Sequence, residues 1–100
     1  MGAMFDLVFL SGVRAGALIS IDHNVNLGRS TECQVEVPDP NASRFHAVIE
    51  YDGRTLTVAD TNSSNGTFVN EFRATRQEVG HGDVIRIGET RMRIQKRRQR

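Results

Sequence analysis

Two short polar stretches carry the side chains best suited to chemistry: Ser43-Arg44 and, some twenty residues later, Ser63-Ser64-Asn65-Gly66. Together they offer hydroxyl, guanidinium and amide donors with almost no apolar bulk, an inventory that suits a small, highly charged oxyanion. A guanidinium fits phosphate because its planar fork donates two parallel bonds, and hydroxyls reach the remaining oxygens without adding charge. Asn65, with donor and acceptor together, suits a peptide backbone better than a phosphate, and Gly66 allows a sharp turn behind it. The competing reading is that Ser and Asn fill turns and bond their own backbone; composition alone does not choose between the two.

What would hold these residues in place is a set of short strands. Alternation of period two recurs throughout, and no window of a dozen residues keeps apolar positions at helical spacing, so the chain reads as all-β. Phe5, Leu7 and Phe9 form one face of a first strand. Residues 18–21 and 25–27 give two more, joined by the turn-like Asp22-His23-Asn24, and a short strand over 34–37 stops at Pro38. Ala47, Ile49 and Tyr51 alternate on one strand and Leu56 and Val58 on the next, with Asp52-Gly53 as the hairpin signal between them. Residues 83–87 and 91–94 flank Gly88-Glu89-Thr90 as a terminal hairpin. Many short strands separated by turn signals suggest a two-sheet sandwich. A strand from His46 to Tyr51 that returns to Asp60 brings residues 42–45 and 62–66 to the same end of the sheet, so the two polar stretches are expected to be neighbours.

Length and composition narrow the function classes. One hundred residues make one domain with a modest core, too small for a large cleft between lobes, which argues against an enzyme. No apolar run is long enough to span a bilayer. A single cysteine, Cys33, cannot form an internal disulfide, which favours a reducing, cytoplasmic setting and a bland packing role for the thiol. Residues 91–100 hold six of the 13 basic residues and none of the 12 acidic ones, leaving residues 1–90 with 7 basic against 12 acidic, a net −5. Such a body does not attract nucleic acid by its overall field, so an anion must be gripped locally. Residues 96–100 read as a solvated basic tail or the start of a linker, with a nucleic-acid or lipid-binding arm as the lesser alternative. Residues 1–3 look like an expression scar, leaving residues 4–95 as the domain.

Other constellations carry less. His23, His46, His81 and Cys33 fit no zinc spacing, so no metal is expected. Ser43, His46 and Asp60 could be imagined as a triad, but there is no nucleophile-elbow motif. The glycines lie in turns rather than ahead of a helix, which gives no nucleotide-binding loop and no expected cofactor. Three glycosylation sequons, at Asn41, Asn62 and Asn65, arise from the local density of Asn and Ser. The aromatic residues fall on alternating strand faces or beside turns, as packing rather than as a stacking platform for bases.

Taken in order, Gly28-Arg29, Ser43-Arg44-Phe45-His46-Ala47, Asp60, Ser63-Ser64-Asn65-Gly66-Thr67-Phe68-Val69-Asn70 and the stretch 82–88 resemble the forkhead-associated domain over nearly all of residues 5–95. The resemblance implies an 11-stranded antiparallel β-sandwich whose loops at one end bind phosphothreonine peptides. It further implies that Arg29, Ser43 and Ser64 contact phosphate, and that Asn65 bonds the peptide backbone after the phosphothreonine. Arg44 would lie beside the peptide, touching phosphate or backbone. Gly28, His46, Gly66, Thr67 and Asn70 would serve site architecture, with His46 buttressing the serine loop. Ser64 stands where related domains often have Thr or Arg, and Glu32, close after Arg29, would disfavour acidic peptides. The hairpin argument does not place Arg29, which depends on how the third strand pairs. The expected partner is a phosphothreonine protein, output of a Ser/Thr kinase, with no small-molecule substrate; a phosphate-independent scaffold role, as in bacterial secretion assemblies, is the alternative.

Overall fold

The computed structural model describes residues 4–97, so the reading of residues 1–3 as a scar and of 98–100 as tail falls outside the described residues. Eleven strands follow one another: β1 (Phe5–Phe9), β2 (Leu18–Ile21), β3 (Val25–Gly28), β4 (Val35–Glu36), β5 (Ala47–Tyr51), β6 (Leu56–Asp60), β7 (Thr67–Val69), β8 (Phe72–Ala74), β9 (Arg76–Val79), β10 (Val84–Ile87) and β11 (Thr90–Lys96). They form a six-stranded sheet, β2-β1-β11-β10-β7-β8, and a five-stranded sheet, β4-β3-β5-β6-β9. The first is antiparallel throughout; the second contains one parallel pair, β3 with β4, so the expected all-antiparallel sandwich is corrected at that edge. The chain reaches this pairing because residues 29–34 carry it from the end of β3 back alongside the same strand rather than through a tight hairpin.

Alternation of side chains produces the core. Leu7 and Phe9 from β1, Ile21, Leu27, Ile49, Leu56, Val58, Ile85, Ile87, Met92 and Ile94 all point between the sheets and are essentially inaccessible. Burying a side chain of this size contributes about 1.5–3 kcal/mol, which is what fixes the register of strands this short. Asp22-His23-Asn24 links β2 to β3 as expected, and carries the chain from one sheet to the other.

The β5–β6 hairpin forms as anticipated, with Ala47 opposite Asp60 and Ile49 opposite Val58. Its turn is a four-residue loop in which Asp52 accepts the backbone N–H groups of Arg54 and Thr55 at 2.9 and 2.8 Å. At the other terminus β11 continues through Lys96, which pairs with Phe5, beyond the expected limit at residue 95. Arg97 adds to this end: its N–H bonds the Met4 carbonyl at 2.8 Å, and its guanidinium holds Asp6 at 3.0 and 3.1 Å. The first two residues of the supposed tail are therefore part of the sandwich.

Candidate functional site

One end of the sandwich gathers the end of β3, the β4–β5 connection, the β6–β7 connection and the β10–β11 turn. The hairpin geometry delivers its expected result. The Ser64 N–H donates to Ser43 Oγ at 3.0 Å, Asn65 Nδ2 donates to the Asn41 carbonyl at 2.9 Å, and Thr61 Oγ1 donates to the Phe45 carbonyl at 3.0 Å. The two polar stretches thus form one surface.

Arg29 joins them because β3 pairs antiparallel with β5, with Leu27 opposite Ala47. Past that pair the backbone keeps bonding the site segment: Arg29 N–H to the Ser43 carbonyl at 2.9 Å and Ser30 N–H to the Arg44 carbonyl at 3.1 Å. The approach requires Gly28, since a β-carbon there would stand 2.2 Å from the Arg44 carbonyl oxygen. Arg29 Nε donates to the Ala42 carbonyl at 3.0 Å. That bond orients the guanidinium and leaves both terminal amino groups of an exposed side chain available.

The serine loop is braced from beneath by His46, which is fully buried. Ser43 N–H donates to its Nδ1 at 2.9 Å, so Nε2 carries the proton and donates to the Gly66 carbonyl, also at 2.9 Å. Ser43 Oγ, having accepted the Ser64 N–H, keeps its own proton to donate outward. Asn65, with one amide N–H given to Asn41, retains the other N–H and its Oδ1. Ser64 and Arg44 are exposed, and the Arg44 side chain makes no hydrogen bond or ion pair within the described residues.

Ser63 behaves differently from its neighbour. Its hydroxyl donates to Asp60 Oδ1 and accepts the Gly66 N–H at 3.0 Å, so it is spent inside the turn and offers no donor to a ligand. Thr67, buried, donates to the same Asp60 oxygen at 2.7 Å. Burial by itself would push the Asp60 carboxyl up, but the bonds from Ser63 and Thr67 outweigh it and hold it below its ordinary value. Asn70 lies at the other end of β7, where its side chain bonds Asp83 and the Val84 N–H, each at 3.0 Å; it shapes the β7–β8 turn and not the site.

Two anchoring residues carried no role in the sequence reading. Asn41 supplies the carbonyl that holds Asn65. Asp39, buried, accepts the Asn41 N–H at 2.8 Å, the Glu89 N–H at 2.9 Å and the Thr90 hydroxyl at 2.9 Å, tying the serine loop to the β10–β11 turn. A carboxylate between two prolines gives no local sign of a partner 50 residues away. Cys33 is buried and its thiol donates to the Arg44 carbonyl at 3.4 Å. Among the described residues no cluster of His, Cys, Asp and Glu side chains is arranged to hold a metal ion, and no helix is long and apolar enough to cross a membrane.

The sequence pattern of the FHA domain matches residues 25–88, the span that contains every element just described as meeting at the site apart from the Glu89-Thr90 anchor. The chain belongs to the FHA domain family. Among characterised relatives, this FHA domain is 42% identical over 62 residues to the FHA domain-containing protein FhaA of Mycobacterium tuberculosis. It is 34% identical over 87 residues to the oxoglutarate dehydrogenase inhibitor of Corynebacterium glutamicum. These alignments take in 62% and 86% of this chain but only 12% and 61% of those proteins, so the chain spans at most about three fifths of their length. Among solved structures, one from an analysis of phosphothreonine-dependent FHA domain interactions superposes with a TM-score of 0.89 at 30% identity, covering 97% of this chain and all of the other. The FHA domain of FhaA, crystallised with the intracellular domain of another protein, superposes with a TM-score of 0.85 at 32% identity, covering 91% and 99% of the two chains.

Proposed function

We infer that this FHA domain is a phosphothreonine-peptide recognition module that recruits a Ser/Thr-phosphorylated partner in a signalling or regulatory pathway, acting by binding rather than catalysis and in the cytoplasm. The observation that carries the reading is the convergence of unspent donors: the Arg29 terminal amino groups, the Ser43 hydroxyl proton, the exposed Ser64 and the free half of the Asn65 amide, all on one braced surface. Arg29 supplies a bidentate charge for phosphate, Ser43 and Ser64 supply neutral donors, and Asn65 reads the peptide backbone beyond the phosphothreonine. Arg44 adds a second positive charge beside the peptide. His46, Gly28, Gly66 and Thr67 hold these groups in place without touching ligand.

The inhibitor and phosphothreonine-dependent relatives favour the same reading. A phosphate-independent scaffold has no physical reason to keep four such donors free on one surface. Calorimetric titration with a phosphothreonine peptide library, its phosphoserine counterpart and its unmodified counterpart tests the assignment. Binding is expected for the phosphothreonine set, with Arg29→Ala losing roughly ten- to a hundredfold in affinity, the usual worth of a charge-assisted bond. Equal affinity for the three sets, or an unaffected Arg29→Ala, would instead support the scaffold role.

A further inference from the structure

Beside the candidate phosphate site lies a cation whose side chain no hydrogen bond or ion pair among the described residues engages. The Arg73 guanidinium is laid against the Gly66 backbone: a β-carbon at Gly66 would stand 2.9 Å from its Nε and 3.0 Å from its Cζ. Arg73 reaches this place from β8, where it stands opposite Phe68 of β7, and its side chain is exposed. The residue it covers directly follows Asn65, the candidate reader of peptide backbone.

Charge compensation nearby is already taken. Glu71, two residues before Arg73, bonds Arg86 Nε at 2.9 Å with one oxygen and Arg91 Nε at 3.1 Å with the other. Arg86 is further fixed over the Phe68 ring, 4.2 Å from its centroid, and gives Nη1 to the Gly88 carbonyl at 2.8 Å. Asp60, the other carboxylate beside Gly66, is spent on Ser63 and Thr67. The Arg73 side chain makes no hydrogen bond or ion pair within the described residues. Its position is nonetheless limited, because it rests on a backbone that Gly66 leaves bare.

Resting on the phosphothreonine reading above, we propose that Arg73 forms a second anion point of the recognition surface, taking an acidic side chain that follows the phosphothreonine in the partner. Asn65 turns the peptide past the site, and the next anion along it meets a guanidinium beside Gly66 that no carboxylate among the described residues neutralises. The pair gains from the planar Arg fork, which can give a carboxylate two parallel bonds, and being exposed it weakens as salt rises. Glu32, on the Arg29 side, has no part in this contact, so the expected dislike of acidic peptides is confined to that flank.

The experiment uses the domain with three phosphothreonine peptides identical except that the residues following the phosphothreonine are Glu, Ala or Lys. The wild type is expected to prefer the Glu peptide over the Ala peptide by roughly two- to fivefold at low salt. Arg73→Ala should bring that ratio to about one, and Arg73→Glu should reverse the order in favour of Lys, with thermal melting used to check that both variants fold. Arg29→Ala should weaken all three peptides together. A wild type without the ordering, or an ordering that survives in Arg73→Ala, overturns the role of Arg73 and leaves the phosphothreonine reading standing. Equal weakening of all three peptides by Arg73→Ala also overturns it, since Arg73 then acts only on the Gly66 turn. If the wild type binds none of the three, the phosphothreonine reading fails and Arg73 with it.

Discussion

His46 donates its Nε2 proton to the carbonyl of Gly66, 20 residues further along the chain, at 2.9 Å, while its other ring nitrogen accepts the N–H of Ser43. One buried imidazole therefore bridges the loop that presents Ser43 and the loop that presents Ser64 and Asn65 from beneath, adding to the direct bonds between them. Neither nitrogen is left for catalysis, which turns the imagined Ser43-His46-Asp60 triad into a brace: Ser43 meets the ring through its backbone and Asp60 faces Ser63 and Thr67.

Removing that brace should cost both stability and binding. In His46→Ala the Ser43 N–H and the Gly66 carbonyl lose their partners and a buried ring volume is vacated, which together should destabilise by roughly 2–5 kcal/mol. A peptide affinity measured well below the lowered melting temperature should also fall, because the two loops then lean only on their direct contacts, such as Ser64 N–H to Ser43 Oγ. Urea denaturation and titration on the same variant check both. Full affinity in a destabilised His46→Ala would mean that the loops hold their spacing without it.

Gly28 and Gly66 should respond differently to the same added methyl group. At Gly28 the new carbon meets backbone, the Arg44 carbonyl at 2.2 Å and the His46 nitrogen at 3.0 Å, so β3 must move away from the segment it holds. At Gly66 it meets the far end of the Arg73 side chain, which can turn aside more cheaply than backbone, and the penalty comes instead from φ of +91°, about 1–2 kcal/mol. Gly28→Ala is expected to be the more damaging of the two by urea midpoint and to lose Arg29-dependent binding. The reverse order would contradict the close packing of β3 on the serine loop.

Much of this site was legible in the sequence because it hangs on a local unit. The β5–β6 hairpin announces itself by alternation and Asp52-Gly53, and its geometry alone joins residues 42–45 to 62–66. What lies beyond local pairing was not legible. Arg29 reaches the site through β3–β5 pairing, and β4 lies parallel to β3, a relation that no short-range pattern encodes. The two-residue β7–β8 turn places Asn70 at φ 51° and Glu71 at φ 71°; a glutamate in that conformation carries none of the usual Asn-Gly signal. Asn70 thus reads as part of the polar motif while bonding Asp83 at the far end of its strand. Ser63 illustrates the opposite limit: its residue type fits ligand and turn equally, and only the Asp60 contact assigns it to the turn.

Cys33 should react slowly with alkylating reagents. Burial pushes its thiol up, only partly offset by the Ser30 backbone contact, and the carboxylates of Glu32 and Glu36 push in the same direction. At neutral pH little thiolate forms and little of it is accessible. Iodoacetamide labelling followed by mass spectrometry should show a rate well below that of a free thiol in the native domain and a normal rate in urea. Fast native labelling would mean that the loop over Cys33, including the Arg44 carbonyl it bonds, opens readily.

Acid should loosen the recognition end through Asp60 and Asp39. For each, burial acts to raise the carboxyl, yet the hydrogen bonds it accepts prevail and leave it below its ordinary value: from Ser63 and Thr67 for Asp60, and from Asn41, Thr90 and Glu89 for Asp39. A carboxyl lowered in the folded state binds fewer protons there than in the unfolded chain, whose value is about 3.9. Its stabilising contribution is therefore complete above that pH and is lost as pH falls through the folded value. Urea midpoints should be flat from neutrality to about pH 5 and decline below about pH 4. Asp60→Asn and Asp39→Asn, less stable at neutral pH, should each show a shallower decline, since one titrating group has gone. If both variants keep the wild-type slope, the acid sensitivity resides in other carboxylates and the two anchors are held by their geometry alone.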